Sequence, residues 1–200
     1  MRRYRVKEIF HTIQGEGMNL GTPAVFVRFS GCNLWSGLEK DRETAICRFC
    51  DTDFRGGVWL LETELLLEIS KYEAPLVVFT GGEPGLQLTE SLVAEVRALG
   101  FRVAVESNGT VPLPAVDWLC ISPKAGTTVV VGQADELKLV YPQEGLPPLL
   151  AAANVSASYY WLSPMDGPNW KQNVGKAVEF VKAHKGWGLN IQAHKVWEIA

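Results

Sequence analysis

The sequence contains no apolar run long enough to cross a bilayer, and no apolar segment of a secretory signal follows its basic N-terminus. It also lacks an excess of basic residues, since 19 Lys and Arg are balanced by 22 Asp and Glu. Binding to nucleic acid depends on clustered positive charge, so this balance argues against such a partner. We therefore expect a soluble, cytoplasmic protein that binds neither membranes nor nucleic acids.

Cysteine and histidine are scarce, with four and three copies respectively. In the cytoplasm, cysteines are more often metal ligands, catalytic groups or buried thiols than disulfides. The spacing of His11, His184 and His194 is not typical of a metal site, so we expect these side chains to be structural or solvent-facing. There is no internal repeat, and the length suits one domain, which we place over residues 1–200.

Short apolar runs rich in β-branched and aromatic residues recur along the chain, as in parallel strands that are buried on both faces. The predicted strands are Ala24–Phe29, Leu76–Thr80, Arg102–Glu106, Trp118–Ile121, Glu136–Val140, Tyr159–Leu162 and Leu189–Gln192. Amphipathic patterns predict helices at Thr63–Lys71, Thr89–Leu99 and Asn173–His184. The alternation is typical of an α/β fold. Strong helices are too few for a closed eight-fold barrel, so we predict a partial, TIM-like barrel of mostly parallel strands.

Three cysteines form the pattern C-x14-C-x2-C: Cys32 follows the first predicted strand, and Cys47 and Cys50 form the close pair. Three thiolates on a four-iron cluster leave one iron without a protein ligand, as a catalytic metal requires. The cysteines alone leave other readings open, namely a zinc site completed by a histidine, a redox pair, or packed thiols. Cys120 lies within an apolar run and is predicted to be a buried thiol.

A glycine-rich turn, Thr80-Gly81-Gly82-Glu83-Pro84, follows the second predicted strand. Ligands bind at the carboxyl ends of strands in α/β folds, and paired glycines let the backbone approach a ligand closely. An ordinary strand-to-helix turn would use the same residues. The segment 33–46, between the first two cysteines, contains a run of charges and is predicted to be an inserted loop or short helix.

Together these features resemble the radical S-adenosylmethionine (SAM) superfamily, whose usual cysteine spacing is C-x3-C-x2-C. The longer spacing here is similar to that of one branch, the 7-carboxy-7-deazaguanine synthases. The stretches that match this branch are 12–17, 26–34, 50–52, 80–84, 106–110, 122–124 and 163–166. The resemblance therefore extends over most of the chain.

The resemblance implies three cofactors: a [4Fe-4S] cluster on the three cysteines, SAM and Mg²⁺. Enzymes of this branch convert 6-carboxy-5,6,7,8-tetrahydropterin to 7-carboxy-7-deazaguanine and ammonia, in the biosynthesis of queuosine and other 7-deazapurines. A radical derived from SAM abstracts hydrogen from C6 of the pterin, and the ring then contracts. A flavodoxin or ferredoxin as electron donor and a homodimeric assembly are further expectations from the family.

The same resemblance assigns roles to individual residues. SAM would contact Phe49, Cys50, Asp51, Gly82, Ser122, Pro123, Lys124, Ser163, Pro164, Met165 and Asp166. The substrate would contact Ile13, Gln14, Gly15, Glu16, Arg28, Thr80 and the C-terminal carboxylate of Ala200. Thr52 would bind Mg²⁺, which takes few protein ligands. No residue is assigned a catalytic role beyond the cofactors, and Lys124 is the one candidate.

Elementary chemistry supports two of these assignments. A substrate carboxylate favours a bidentate arginine such as Arg28, and Glu16 can accept hydrogen bonds from an amidine-like edge. Arg28 could instead form a structural ion pair, and Glu16 could be a solvated loop acid.

Alternatives for the whole protein are another radical SAM enzyme such as a glycyl-radical activase, a zinc-stabilised binding protein, and an electron-transfer iron–sulfur protein, which would need a fourth cysteine ligand. The run Gln14–Gly17 and Thr52 disfavour the first of these.

Overall fold

The computed structural model describes residues 2–199, and in this range nine strands form one sheet. The strands are β1 (Arg3–Ile13), β2 (Pro23–Phe29), β3 (Val58–Leu61), β4 (Leu76–Gly81), β5 (Arg102–Ser107), β6 (Trp118–Ile121), β7 (Gln133–Tyr141), β8 (Ser156–Pro164) and β9 (Trp187–Leu189). The α-helices are α1 (Glu62–Ile69), α2 (Glu90–Ala98), α3 (Pro148–Asn154), α4 (Trp170–Ala183) and α5 (Ala193–Trp197). Two 3₁₀-helices span Glu39–Thr44 and Pro84–Leu86.

The sheet has the order β3-β1-β2-β4-β5-β6-β7-β8-β9. β1 is antiparallel to both of its neighbours, and every pair from β2 onward is parallel. β3 and β9 are the two edges, so the sheet is not closed. This arrangement confirms the predicted α/β fold, an incomplete barrel of mostly parallel strands. No helix within residues 2–199 is long and apolar enough to cross a membrane.

Six of the seven predicted strands are confirmed, and the last one was misplaced. The prediction put it at Leu189–Gln192, whereas β9 pairs with β8 through Trp187 to Leu189. Beyond Leu189, Asn190 N–H still donates to the Leu162 carbonyl at 2.8 Å, and the Asn190 side chain donates to the Ser163 hydroxyl at 2.8 Å. The three predicted helices are confirmed with shifted ends, since α1 begins one residue earlier and ends at Ile69.

The longest strand, β1, was missed in the sequence. Its charged residues interrupt the apolar pattern, because an antiparallel strand near a sheet edge needs to bury only one of its faces. Tyr4 and Val6 are buried on that face, and the alternating residues Arg3 and Arg5 are exposed. The short helices α3 and α5 were also missed, since they are too brief to establish a helical period.

Alternation along the parallel strands separates an apolar lower barrel from a polar mouth. The inward residues near the start of the strands are apolar and buried: Ala24, Leu76, Val78 and Ala104. The next inward positions toward the carboxyl ends carry Arg28, Thr80 and Glu106. Because all these strands are parallel, their polar ends meet at one edge of the sheet. The candidate site is therefore built at the carboxyl ends of the strands.

Candidate active site

Cys32, Cys47 and Cys50 line one cavity of about 220 Å³ at the carboxyl ends of the strands. All three are free thiols, and Cys47 is the most deeply buried of them. The fourth, Cys120, is a buried thiol within β6, as predicted. Among residues 2–199, no three His, Cys, Asp or Glu side chains converge as the ligands of one ion would. The three thiols instead face a shared space, the arrangement that a multi-iron cluster requires.

The glycine-rich turn after β4 holds the first cysteine loop in place. Gly82 N–H donates to the Phe29 carbonyl at 3.1 Å, and Glu83 N–H donates to the Gly31 carbonyl at 2.9 Å. A Cβ atom on Gly82 would collide with the Gly31 carbonyl and approach the Cys32 nitrogen within 2.9 Å. The glycine is therefore required by close backbone packing beneath Cys32.

Glu83 is completely buried and ties the same turn to the end of β5. Its carboxylate accepts from the Ser107 hydroxyl at 2.7 Å, from Asn108 N–H at 2.8 Å and from Gly85 N–H at 2.8 Å. Burial raises the pKa of Glu83, and the three hydrogen bonds offset part of this rise. The turn, the cysteine loop and the end of β5 are thereby fixed as one unit.

Replacing Gly82 with alanine should destabilise the protein by about 2–3 kcal/mol, because backbone atoms rather than a flexible side chain must move to admit the Cβ atom. Gly132→Ala is the matched control, since a Cβ atom there meets nothing within 4 Å and should change stability by less than about 0.5 kcal/mol. Urea unfolding of both variants under reducing conditions measures the difference. Equal stabilities would show that the Cys32 loop adapts freely.

The thiols differ in their readiness to ionise. A hydrogen bond from Cys47 lowers the pKa of Cys50 to about 6, and bonds from Thr52 act in the same direction. The same Cys47–Cys50 bond raises the pKa of Cys47, and burial raises that of Cys32. Leu34 N–H donates to the Cys32 sulfur at 3.4 Å. Cys50 is therefore the first thiol to become a thiolate, which is the form that binds metal.

The residues assigned to SAM surround this cavity, with one exception. Its lining includes Phe49, Cys50, Asp51, Gly82, Ser122, Lys124, Ser163, Pro164, Met165 and Asp166. Pro123 does not line it, and its carbonyl accepts from Gln143 at 3.3 Å. Lys124 donates to the Ser122 carbonyl and hydroxyl at 2.5 and 2.8 Å, and burial lowers its pKa. Lys195 forms ion pairs with both Asp51 and Asp166, with Nζ to carboxylate oxygen distances of 2.8 and 2.6 Å.

A second, more open cavity of about 400 Å³ adjoins the first, and its size suits a small ligand. Its lining includes six of the residues assigned to the substrate: Ile13, Gln14, Gly15, Glu16, Arg28 and Thr80. The seventh, Ala200, lies outside the described residues. Arg28 Nε pairs with Glu8 at 2.7 Å, so Arg28 lines the cavity and also forms the ion pair that was the alternative for it.

The two cavities meet at a buried charge network. Lys138 Nζ lies 2.7 Å from Glu16 and 3.1 Å from Glu106, and Gln14 donates to Glu106 at 3.0 Å. Burial alone would raise the pKa of Glu16, but the charge and hydrogen bond of Lys138 lower it. Likewise, burial opposes the charge on Lys138, yet the two carboxylates raise its pKa well above the usual value. The network therefore favours the ionised carboxylate of Glu16 at the junction.

Thr52 and several unassigned residues also contribute to the junction. Thr52, Glu16, Thr80, Glu106 and Gln192 line both cavities. Glu106 and Lys138 received no role from the sequence, although a lysine inside the apolar run of β7 was a signal of an inward-facing charge. His194, which was expected to be structural or solvent-facing, lies in the lining of the larger cavity. Only the packing of α5 against Gly15 brings it there, through the bond from Ala193 N–H to the Gly15 carbonyl at 2.9 Å.

No family model matches this chain. The chain is 47% identical over 208 residues to the 7-carboxy-7-deazaguanine synthase of Burkholderia multivorans, covering 98% of this chain and 99% of that protein. It is 48% identical over 204 residues to the 7-carboxy-7-deazaguanine synthase of Caulobacter vibrioides, covering 96% and 97%. The chain belongs to this family.

Solved structures agree with this membership. The crystal structure of QueE from Escherichia coli superposes with a TM-score of 0.75 at 26% identity, covering 96% of this chain and 95% of that one. A 7-carboxy-7-deazaguanine synthase is a radical SAM enzyme, so a four-iron cluster and SAM are expected here. The donor set fits that expectation, because three free thiols share one cavity and leave no fourth cysteine beside them.

Proposed function

We propose that this chain converts 6-carboxy-5,6,7,8-tetrahydropterin to 7-carboxy-7-deazaguanine and ammonia at the junction of its two cavities. One observation carries the proposal: the cavity with the three cysteines and the cavity with the residues assigned to the substrate share part of their lining. When bound, the cluster and SAM supply the radical that initiates the ring contraction. The protein's task is to bind, orient and shield the reactants.

In this proposal, Cys32, Cys47 and Cys50 hold the cluster, and the polar residues that line the same cavity bind SAM. Asp51, Lys124 and Asp166 are the charged residues among those assigned to SAM in this lining. Pro123 would contribute only by shaping the strand end that carries Ser122. The assignment is supported by the fact that these residues line a single cavity.

The larger cavity would bind the pterin through complementary charge. Arg28 would bind its carboxylate, since a guanidinium offers five N–H donors and only Nε is used by Glu8. Glu16 would accept from the amidine-like edge as an ionised carboxylate held by Lys138. Gln14, Gly15, Ile13 and Thr80 would complete the wall, and the C-terminal carboxylate of Ala200 would add a further contact.

We also propose that Thr52 binds Mg²⁺ between the two cavities. Its hydroxyl is a hard oxygen ligand, and Mg²⁺ typically retains waters or substrate oxygens beside a few protein ligands. Asp51 is adjacent in sequence and lines both cavities with Thr52. The magnesium dependence of the reaction, measured with and without a chelator in wild type and in Thr52→Val, tests this role. Equal dependence on Mg²⁺ in both proteins would assign the ion to other ligands.

We also propose a location, an assembly and an electron donor for this chain. The chain would act in the cytoplasm as a single-domain protein and a homodimer, with no nucleic-acid partner. A flavodoxin or ferredoxin would deliver the electron that the cluster requires. Light scattering of the pure protein and reduction of its cluster by each donor are the corresponding measurements.

The reaction is tested with protein purified without oxygen and reconstituted with iron and sulfide. The assay contains a reductant, SAM, Mg²⁺ and 6-carboxy-5,6,7,8-tetrahydropterin, and mass spectrometry detects 7-carboxy-7-deazaguanine. Product formation that depends on SAM supports the proposal. Cleavage of SAM without this product would retain the radical chemistry and overturn the substrate.

Arg28→Gln should raise the KM for the carboxypterin by roughly 10- to 100-fold, the value of a lost charged hydrogen bond, with a smaller effect on kcat. Glu8→Gln is the discriminating control. It removes the partner of Arg28 in an exposed ion pair, so KM should change by no more than about threefold. Steady-state kinetics give both values. If the two variants show the same loss, Arg28 acts through its ion pair and not on the substrate.

A further inference from the structure

Arg42 belongs to the segment 33–46, whose length separates this chain from the common cysteine spacing of radical SAM enzymes. It lies on the 3₁₀-helix Glu39–Thr44. The segment closes on itself where the Leu34 carbonyl accepts from Ile46 N–H at 3.2 Å and from Cys47 N–H at 3.3 Å. The insertion therefore returns the chain to the second cysteine close to where it left the first.

The guanidinium of Arg42 reaches from this helix to the turn that contains the other two cysteines. Its Nη1 donates to the Arg48 carbonyl at 2.9 Å and to the Cys50 carbonyl at 3.0 Å. Nε donates to both carboxylate oxygens of Glu39 at 2.7 and 2.8 Å. One side chain thus bonds to both its own helix and the 47–50 turn, including the backbone of a cysteine.

An aromatic pair supports the guanidinium from the other side. The Arg42 guanidinium carbon lies 4.1 Å from the centroid of the Trp35 ring, and Trp35 meets Phe54 edge-on at 5.7 Å. Both aromatic side chains are buried and line the cysteine cavity. A cation stacked on a buried indole is held in a defined position, so its hydrogen bonds cost less side-chain entropy.

The position of Arg42 also has an electrostatic consequence. The strongest partner of its charge is the Glu39 carboxylate, and the charge also acts, more weakly, on Cys50 and Cys47, whose turn the guanidinium contacts. Reduction of a four-iron cluster held by thiolates adds one negative charge at that place. A fixed positive charge nearby favours the reduced form, and the net charge around a cluster is one determinant of its potential.

We propose that Arg42 is a positioning residue for the cluster site: it fixes the Cys47–Cys50 turn against the inserted loop and makes the bound cluster easier to reduce. This inference rests on the proposed function, because it requires the three cysteines to hold a four-iron cluster. It gives the insertion a purpose, which is to carry an arginine back to the cluster turn. Arg42 needs no contact with SAM or with the pterin for this role.

Two variants separate position from charge. Arg42→Gln removes both the forked donor and the charge, and Arg42→Lys keeps the charge without the fork. Arg97→Gln is the matched control, since Arg97 makes a comparable two-point contact with Asp117 at 3.1 and 3.0 Å on the surface, away from the cysteines. Circular dichroism of each protein before reconstitution verifies that it is folded.

The two readouts are the rate of cluster loss to a chelator and the midpoint potential from a redox titration followed by electron paramagnetic resonance. We expect Arg42→Gln to lose its cluster roughly tenfold faster and to have a lower potential. Arg42→Lys should also lose its cluster faster, at a potential near that of wild type, and Arg97→Gln should match wild type in both.

If Arg42→Gln retains the wild-type rate and potential, the inference is overturned while the proposed function is unaffected. If Arg42→Lys behaves like Arg42→Gln in potential, the electrostatic part is overturned. A wild-type chain that takes up no four-iron cluster would overturn the proposed function itself, and this inference with it.

Discussion

Cys47→Ala should yield a folded protein that retains no four-iron cluster and forms no detectable 7-carboxy-7-deazaguanine. Cys47 is the buried member of the three thiols, and its hydrogen bond to Cys50 joins the close pair. With two thiolates left, too few protein ligands remain to hold a site-differentiated cluster. Iron and sulfide content per chain, visible absorbance and product by mass spectrometry measure the loss.

Cys120→Ala is the matched control for this prediction. Cys120 is also buried, but it lies within β6 and does not line either of the two cavities. The substitution should cost about 1 kcal/mol of stability from lost packing and leave the cluster content unchanged. Loss of the cluster in Cys120→Ala, or its retention in Cys47→Ala, would contradict the assignment of the ligands.

Lys138→Met should lower the free energy of unfolding by about 2–4 kcal/mol, because it leaves the partly buried carboxylates of Glu16 and Glu106 without their shared cation. It should also weaken binding of the carboxypterin at least about tenfold, since the two carboxylates would then share a proton and lose an acceptor. Lys182→Met is the control: Lys182 pairs with Glu179 at an exposed site, where about 0.5 kcal/mol is expected.

The pH dependence of stability provides an independent measure of the same network. In wild type, Lys138 lowers the pKa of Glu16 below its ordinary value of 4.5. This stabilisation is therefore fully present above that value and is lost as the pH falls through the depressed pKa. In Lys138→Met, the two close carboxylates raise one pKa, so the folded state takes up a proton and gains stability as the pH falls.

The stability difference between wild type and Lys138→Met should consequently narrow as the pH decreases from neutrality. The double variant Lys138→Met/Glu106→Gln removes the repulsion while keeping the shape of the site. It should recover much of the lost stability and little of the substrate affinity. Urea unfolding at several pH values measures the stability of each protein, and calorimetric titration with the pterin measures its substrate affinity. A difference that is independent of pH would mean that Lys138 contributes packing alone.

Patterns along the chain were sufficient for much of the fold. Parallel strands buried on both faces are nearly continuous apolar runs, so the sequence predicted β2 and β4 to β8. The antiparallel β1 was missed, because burial of one face leaves a mixed sequence. β9 was misplaced, because it covers Trp187–Leu189 and the predicted residues beyond Leu189 lie outside the strand.

The sequence by itself located the three cysteines and most of the cavity-lining residues, because local motifs at strand ends carry them: a cysteine loop, a glycine turn and short polar runs. The tertiary structure alone decided how the charges pair. Glu106 and Lys138 lie on the parallel strands β5 and β7, whereas Glu16 lies in the loop after the antiparallel β1, so the three charges meet only in the folded barrel. Arg42 and His194 likewise gain their neighbours from loop closure and from the packing of a terminal helix. Such contacts depend on burial and geometry across the fold, which no local pattern encodes.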